Sequence, residues 1–340
     1  MTIFPLHYSK ANFMKSYILL LVTVLLTNSV WSQSNKELQS ILKNLKVELI
    51  QPGVISTSGF EFGTSISPDG EEFFFVKGIT GFRRTAIVYS IWQDSRWSSP
   101  KLAPFSGKYN DTNPYFSKDG KRLYFTSDRP TLILKYARTN LWYVDKIQGG
   151  WTSPKLIEDI INDQYEIVYP TIQMNGTIHF VSWSRPGSEK GDIFKSQLVG
   201  GSYTKPELVD ELNSPMSDAD PEISQNGEFM FITSQRNGGL GHYDLYIFKK
   251  LKNGKWGKAI NLGSKVNSIY MDSDPILSPD GNTLYFSSDR IEVDNRLSNP
   301  HTSYEMLVKS NEGIYNGLMN IYKVDISRLL EYLKNETKTN

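Results

Sequence analysis

One stretch constrains this chain more than any other: Asp272–Arg290, DSDPILSPDGNTLYFSSDR, of which four degraded copies precede it. Aligned on the glycine that follows the turn, the five copies fall at Gly70, Gly120, Gly176, Gly227 and Gly281, with intervals of 50, 56, 51 and 54 residues. Each copy carries strand chemistry. A near-constant period of that length, built from units that cannot bury both faces alone, specifies a ring of stacked sheets, the β-propeller. The fold class is therefore all-β.

The physical content of one copy repeats in the others. Asp69, Asp119, Asn175, Asn226 and Asp280 stand directly before the glycine, and Asp-Gly or Asn-Gly closes tight hairpins. Six residues before the glycine come Thr64, Pro114, Pro170, Pro221 and Pro275, a place that suits the opening residue of a strand. After the glycine come apolar runs such as Phe73-Phe74-Phe75 and Leu284-Tyr285-Phe286, which lack alternation and fit a strand covered on both faces. A third strand follows in every unit. A fourth, introduced by Trp97, Trp151, Tyr203 and Trp256, follows in the first four units only. The fifth unit lacks one, and the lone strand Lys46–Gln51 supplies it, so the ring closes without an open edge as five four-stranded blades.

The stretch SPDG-x-x-LYFSSDR, with its following D-I-Y strand and W-x-x-P, resembles the TolB-like, WD-repeat-like propeller repeats of exported bacterial proteins, from roughly Val47 to Asp325. The resemblance implies fold and says little of activity, because such rings bind proteins, bind carbohydrate or accompany peptidases. Many relatives of this type have six blades, which makes six the alternative count.

Ahead of the ring, Lys15, the apolar run Tyr17–Leu26 and the small polar residues to Ser32 have the order of a secretory signal, with an apolar part shorter than the roughly 20 residues of a spanning helix. A retained membrane anchor is the alternative. The chain divides into a signal over 1–32, a helical lead-in over 33–45, the propeller over 46–325 and a C-terminal helix and tail over 326–340. Export implies a periplasmic or secreted protein with no transmembrane segment after cleavage.

A net charge of +1 gives no reason to expect nucleic acid as a partner, and the absence of cysteine removes disulfides and thiolate chemistry. Four histidines share no ligand spacing, and no nucleophile elbow or phosphate loop appears, so no cofactor and no metal site is assigned. His179 aligns with Phe73, Leu123, Met230 and Leu284 and reads as a core residue; Trp97, Trp151 and Trp256 repeat and read as blade packing rather than a sugar platform.

Topology places the segments before each first strand, and those between second and third strands, on one face, here called the top. Acids recur there: Glu61, Asp111, Asp218 and Asp272 three residues before the proline position, Glu166 one place earlier in the third unit, and Asp220 and Asp274 beside the proline with Asn113. Such a ring could hold a divalent cation through oxygen ligands or grip sugar hydroxyls. Against it stand Arg129, Arg185, Arg236 and Arg290, which end the second strands on the same face and suit pairs that stitch the ring. The segment Arg290–Met319 is far longer than its counterparts, and His301, Tyr304 and Tyr315 within it suit peptide or sugar recognition; a clamp over the ring closure is the other reading. The expectation is a non-enzymatic top-face binder of an envelope protein, peptide or glycan. A carbohydrate-active enzyme using these carboxylates is the alternative.

Overall fold

The computed structural model describes residues 36–79, 82–131, 139–157, 160–163, 165–188, 190–291 and 303–336. The signal segment and His301 lie outside them. The chain forms two compact units, 1–44 and 45–340. The first is described from residue 36 and holds helix α1 over 36–43. No helix among the described residues is long and apolar enough to cross a membrane.

The second unit is a five-bladed propeller with four strands per blade, counted here from the inner strand on the channel to the outer strand at the rim. In the first blade these are Phe60–Ile66, Glu72–Ile79, Arg83–Gln93 and Lys101–Leu102. The inner strands of the next four begin at Asp111, Val168, Asp218 and Asp272. The fifth blade is completed by Val47–Leu49, antiparallel to Asn320–Asp325 in the register Val47 to Val324 and Leu49 to Tyr322. Ile50 N extends the ladder by donating to Ile321 O at 3.0 Å. The ring thus closes with the two ends of its sequence in one sheet.

The hairpins divide their work between two residues. Gly70, Gly120, Gly176, Gly227 and Gly281 all take φ between 69° and 82°, the left-handed region where a Cβ is penalised. The preceding residue does not; its side chain caps the turn instead, as when Asp69 Oδ1 accepts from Glu71 N at 3.0 Å. In the first two blades the outer strand is broken, so that Trp97 and Trp151 each sit in a short end hairpin before Leu102 and Leu156 rejoin the blade.

The prolines are not strand openers. Pro114, Pro221 and Pro275 lie inside the inner strands Asp111–Phe116, Asp218–Ile223 and Asp272–Leu277. Each sits in a β-bulge where the ladder shifts register, and the inner strand has no neighbour on its channel side, so the missing N–H breaks no bond. The residue before it is left-handed in all five blades: Gly63, Asn113, Tyr169, Asp220 and Asp274, with φ between 50° and 57°. The bulge turns the four side chains among them off the alternation of the strand and towards the channel, where all five residues line one cavity.

Hydrophobic burial lies in the seams between blades. Phe74, fully buried, stacks on Tyr89 at 5.4 Å and meets Phe116 of the next blade at 5.4 Å and Trp151 at 5.8 Å. The repeated tryptophans are therefore packing residues. Below the last two blades, α3 (Ser327–Glu336) buries Leu329, Leu330 and Leu333, and Ile326 N donates to Asn282 O at 2.8 Å.

Candidate functional site

The acids of the top half form two tiers, and their surroundings differ. In the upper tier, Glu61, Asp111, Asp218 and Asp272 are each 0% exposed. Asp111 accepts from Arg129 Nη2 at 2.7 Å, Ser127 Oγ at 2.6 Å and Ser106 Oγ at 2.7 Å. The same guanidinium donates to Phe105 O at 3.1 Å and, through Nε, to Ser127 Oγ at 2.9 Å. Blades four and five repeat the clamp: Asp218 meets Arg236 at 2.6 Å and Asp272 meets Arg290 at 2.5 Å, with Arg236 Nε on Ser234 Oγ and Arg290 Nε on Ser288 Oγ. Burial raises the pKa of Asp111, opposed by Ser127 and Arg129.

Two blades depart from the pattern. In the first, Lys77 takes the place of the serine and Ile79 that of the arginine, and Glu61 pairs with Lys77 at 2.5 Å and Thr57 Oγ1 at 2.5 Å. In the third, Ile167 occupies the clamp position, and Arg185 turns to Asp163 with bonds of 2.7 and 3.0 Å. Glu166, read from the sequence as the acid of that blade, does not meet Arg185. It accepts from Trp183 N at 2.6 Å and from the hydroxyl of Ser184. Burial acts to raise its pKa, but those bonds win and hold it below the ordinary range. Asp163 was missed because the extra length of the third unit puts it outside the repeat register.

The lower tier is the ring of left-handed residues. With Thr64 and the prolines they line a cavity of about 30 Å³, room for one or two waters. Asp220 Oδ2 accepts from the backbone N of Asp274 at 3.1 Å, and Asp274 Oδ2 accepts from Ser273 Oγ at 3.0 Å. The other oxygen of each carboxylate is buried without a hydrogen-bond partner, as is Thr64 Oγ1. Both acids titrate as a pair held above the ordinary aspartate range, first by burial and, for Asp220, also by the charge of Asp274. Tyr169 is pushed up by burial and by both charges.

His179 is buried and does not line this cavity: it pairs across the ladder with Thr171 and Lys195. Burial, with Lys195 and Lys250 adding to it, lowers its pKa to about 3, so it is a neutral core residue at physiological pH. No group of three or more His, Asp and Glu placed to hold a metal occurs among the described residues.

Of the long fifth-blade insertion, residues 303–319 are described. Helix α2 (Tyr304–Glu312) is capped by Ser303, whose side chain accepts from Met306 N, and it buries no residue. Tyr304 is 80% exposed and Tyr315 39%. Beyond it, Asn316 Nδ2 donates to Ser58 O at 3.1 Å, and Glu61 N donates to Met319 O at 2.9 Å. The end of the insertion is thereby tied across the seam where the last blade meets the first. Other top-face loops also expose apolar groups, among them Phe82, Leu240 and Trp183. Trp183 lies over Gly191, whose Cβ would fall 2.4 Å from the indole Nε1.

No family model matches the chain. Among curated proteins it is similar to one from Bacillus subtilis (strain 168) described as the uncharacterized peptidase YuxL, 25% identical over 244 residues, or 71% of this chain and 31% of that protein. The chain thus spans about a third of the length of that relative. Among solved structures, TolB from Acinetobacter baumannii aligns over 60% of this chain and 43% of its own at 19% identity and a TM-score of 0.38. An α-L-arabinofuranosidase from Lactobacillus brevis aligns over 82% of this chain and 92% of its own at 12% identity and a TM-score of 0.48.

Proposed function

We propose that this chain is an exported, non-catalytic propeller of the TolB-like repeat type that binds an envelope protein, peptide or glycan through its top face. The observation that supports this reading is the fate of the upper carboxylates. Glu61, Asp111, Asp218 and Asp272 are fully buried and held by cations and hydroxyls, so a substrate could reach them only by breaking the ring's own pairs. A general acid or base must lie within hydrogen-bond reach of the group it serves. Asp220 and Asp274 have the raised pKa of candidate acids, but a cavity of about 30 Å³ does not admit a sugar ring. What the top face offers a partner is the exposed set Phe82, Trp183, Leu240, Tyr304 and Tyr315, amphipathic and aromatic groups of the kind that carry binding energy in interfaces. Export rests on the N-terminal pattern of charge and apolar length.

The test is a titration of the purified ring against peptide and glycan arrays, comparing the native chain with Trp183→Ala and with a Tyr304→Ala, Tyr315→Ala pair. Loss of a bound class in variants that keep their melting temperature is the expected result. Turnover of an oligosaccharide by the native chain, lost in a folded Asp218→Asn variant, would replace binding with catalysis.

A further inference from the structure

We infer that the propeller channel holds one hard divalent cation, of the calcium or magnesium type, on Asp220, Asp274 and Thr64. Three oxygens carry the inference. Asp220 Oδ1, Asp274 Oδ1 and Thr64 Oγ1 are buried and have no hydrogen-bond partner among the described residues, on side chains 6%, 6% and 2% exposed. They belong to the inner strands of three consecutive blades, the fourth, the fifth and the first, and line one cavity. A buried polar atom without a partner is costly, and three at one level of one cavity need a common explanation.

Charge narrows that explanation. Among the described residues lining the cavity there is no Lys, Arg or His, whereas the upper tier gives every carboxylate a cation. Two carboxylates sharing a buried space need either a proton between them or a counter-ion, and a doubly charged cation neutralises both. Hard cations of this kind take carboxylate and hydroxyl oxygens and complete their shell with water. The space supports the same choice, being sized for an ion and a water rather than for an organic ligand. Gly63 lines the same space, where an added Cβ would make only ordinary contacts, 3.9 Å from Asp274 Oδ1 and 4.0 Å from Asn113 Nδ2. Its φ of 57° is, however, one that side chains resist. Asn113 Oδ1 is already engaged by Thr126 Oγ1 at 2.8 Å, which fixes the amide at the rim of the site.

The experiment uses the full ring, stripped with a chelator and then titrated with Ca2+ or Mg2+ alone. One equivalent should bind, and saturating metal should raise the melting temperature by about 3 °C or more and lose that effect when chelator is restored. Asp220→Asn and Asp274→Asn should fold and lose the metal response, while Thr64→Val should weaken the affinity. Terbium provides a second readout, because Tyr169 lines the cavity and should sensitise its emission, with Ca2+ competing the signal away. A stripped protein whose melting temperature and calorimetric trace ignore both metals would overturn the inference. So would a response, or a terbium signal, that survives in the two Asn variants; a pair whose stability depends on pH but not on metal would assign the site to a shared proton instead.

Discussion

The upper and lower tiers of acids sit two residues apart on their strands and are both buried, yet they are built on opposite terms. Asp111, Asp218 and Asp272 each have a guanidinium supplied by the end of their own blade's second strand and a serine hydroxyl, from Ser127, Ser234 and Ser268 respectively. Asp220 and Asp274 have no cation: one accepts from a backbone amide and the other from a neighbouring hydroxyl, and the Thr233 and Ser287 hydroxyls act only to moderate their raised pKa values. The difference follows from direction. A residue in the regular part of the inner strand faces its ladder partners, where the blade can evolve a mate. A residue on the left-handed bulge faces the channel, where it also meets other blades, as Asp220 does in accepting from Asp274 N. The upper tier therefore serves the blade and the lower tier serves the axis.

The largest effect should come from breaking a clamp. Arg236→Ala leaves Asp218 charged and buried without its partner, and the cost should be about 3–5 kcal/mol in a denaturant titration, with Arg290→Ala alike. A loss below about 1 kcal/mol would mean that the clamps are surface-like and that the two tiers do not differ.

In the lower tier the sign reverses. Asp220→Asn in metal-free protein removes the cost of holding a buried carboxyl protonated at a pH where the unfolded chain ionises it, and should stabilise the ring by about 1–3 kcal/mol near neutral pH. The pH dependence follows from the same fact. The folded pair binds protons more tightly than the unfolded chain, so its contribution is full below the ordinary aspartate pKa and is lost as pH rises through the raised values. Metal-free native protein should lose this part of its stability on going from pH 4 towards 8; each single Asn variant should lose less, and the double variant none of it. Tyr169 and Tyr243, whose pKa values burial and the charge of Asp220 push up, stay protonated throughout that window.

His179 separates this trend from an opposite one. Its pKa is lowered to about 3 in the folded state, so stability is lost as pH falls from about 6.5 towards 3, at roughly 1.4 kcal/mol per unit. His179→Leu should abolish that acid-side loss while changing stability at pH 8 by no more than about 1.5 kcal/mol, as a tolerated core exchange does. Parallel curves for the two proteins across pH 3–7 would show that the imidazole is not buried neutral.

The blade count and the closing strand were legible because both follow from periodicity: five glycine-anchored hairpins fix the units, and a fourth strand missing at one end matches a lone strand at the other. The acid-to-arginine spacing of the upper tier was equally visible at Asp111 and Arg129 or Asp272 and Arg290. Three things were not. Pro114, Pro221 and Pro275 read as strand openers because a missing N–H marks both a start and a bulge, and only the ladder shift tells them apart. The exchange of Glu166 for Asp163 depends on loop length in one blade, which a repeat register cannot carry. The isolation of Asp220 and Asp274 depends on what four other blades place around the axis, a property of the closed ring and not of any one copy.

The most direct test of the contrast is carboxyl titration by carbon NMR on aspartate-labelled, chelator-stripped ring, with Asp220→Asn and Asp274→Asn for assignment. The account predicts a coupled pair of carboxyls titrating well above the ordinary aspartate range, which drops back into that range when Ca2+ is added and disappears from either variant. Two carboxyls that titrate independently at ordinary values in the stripped protein would contradict it.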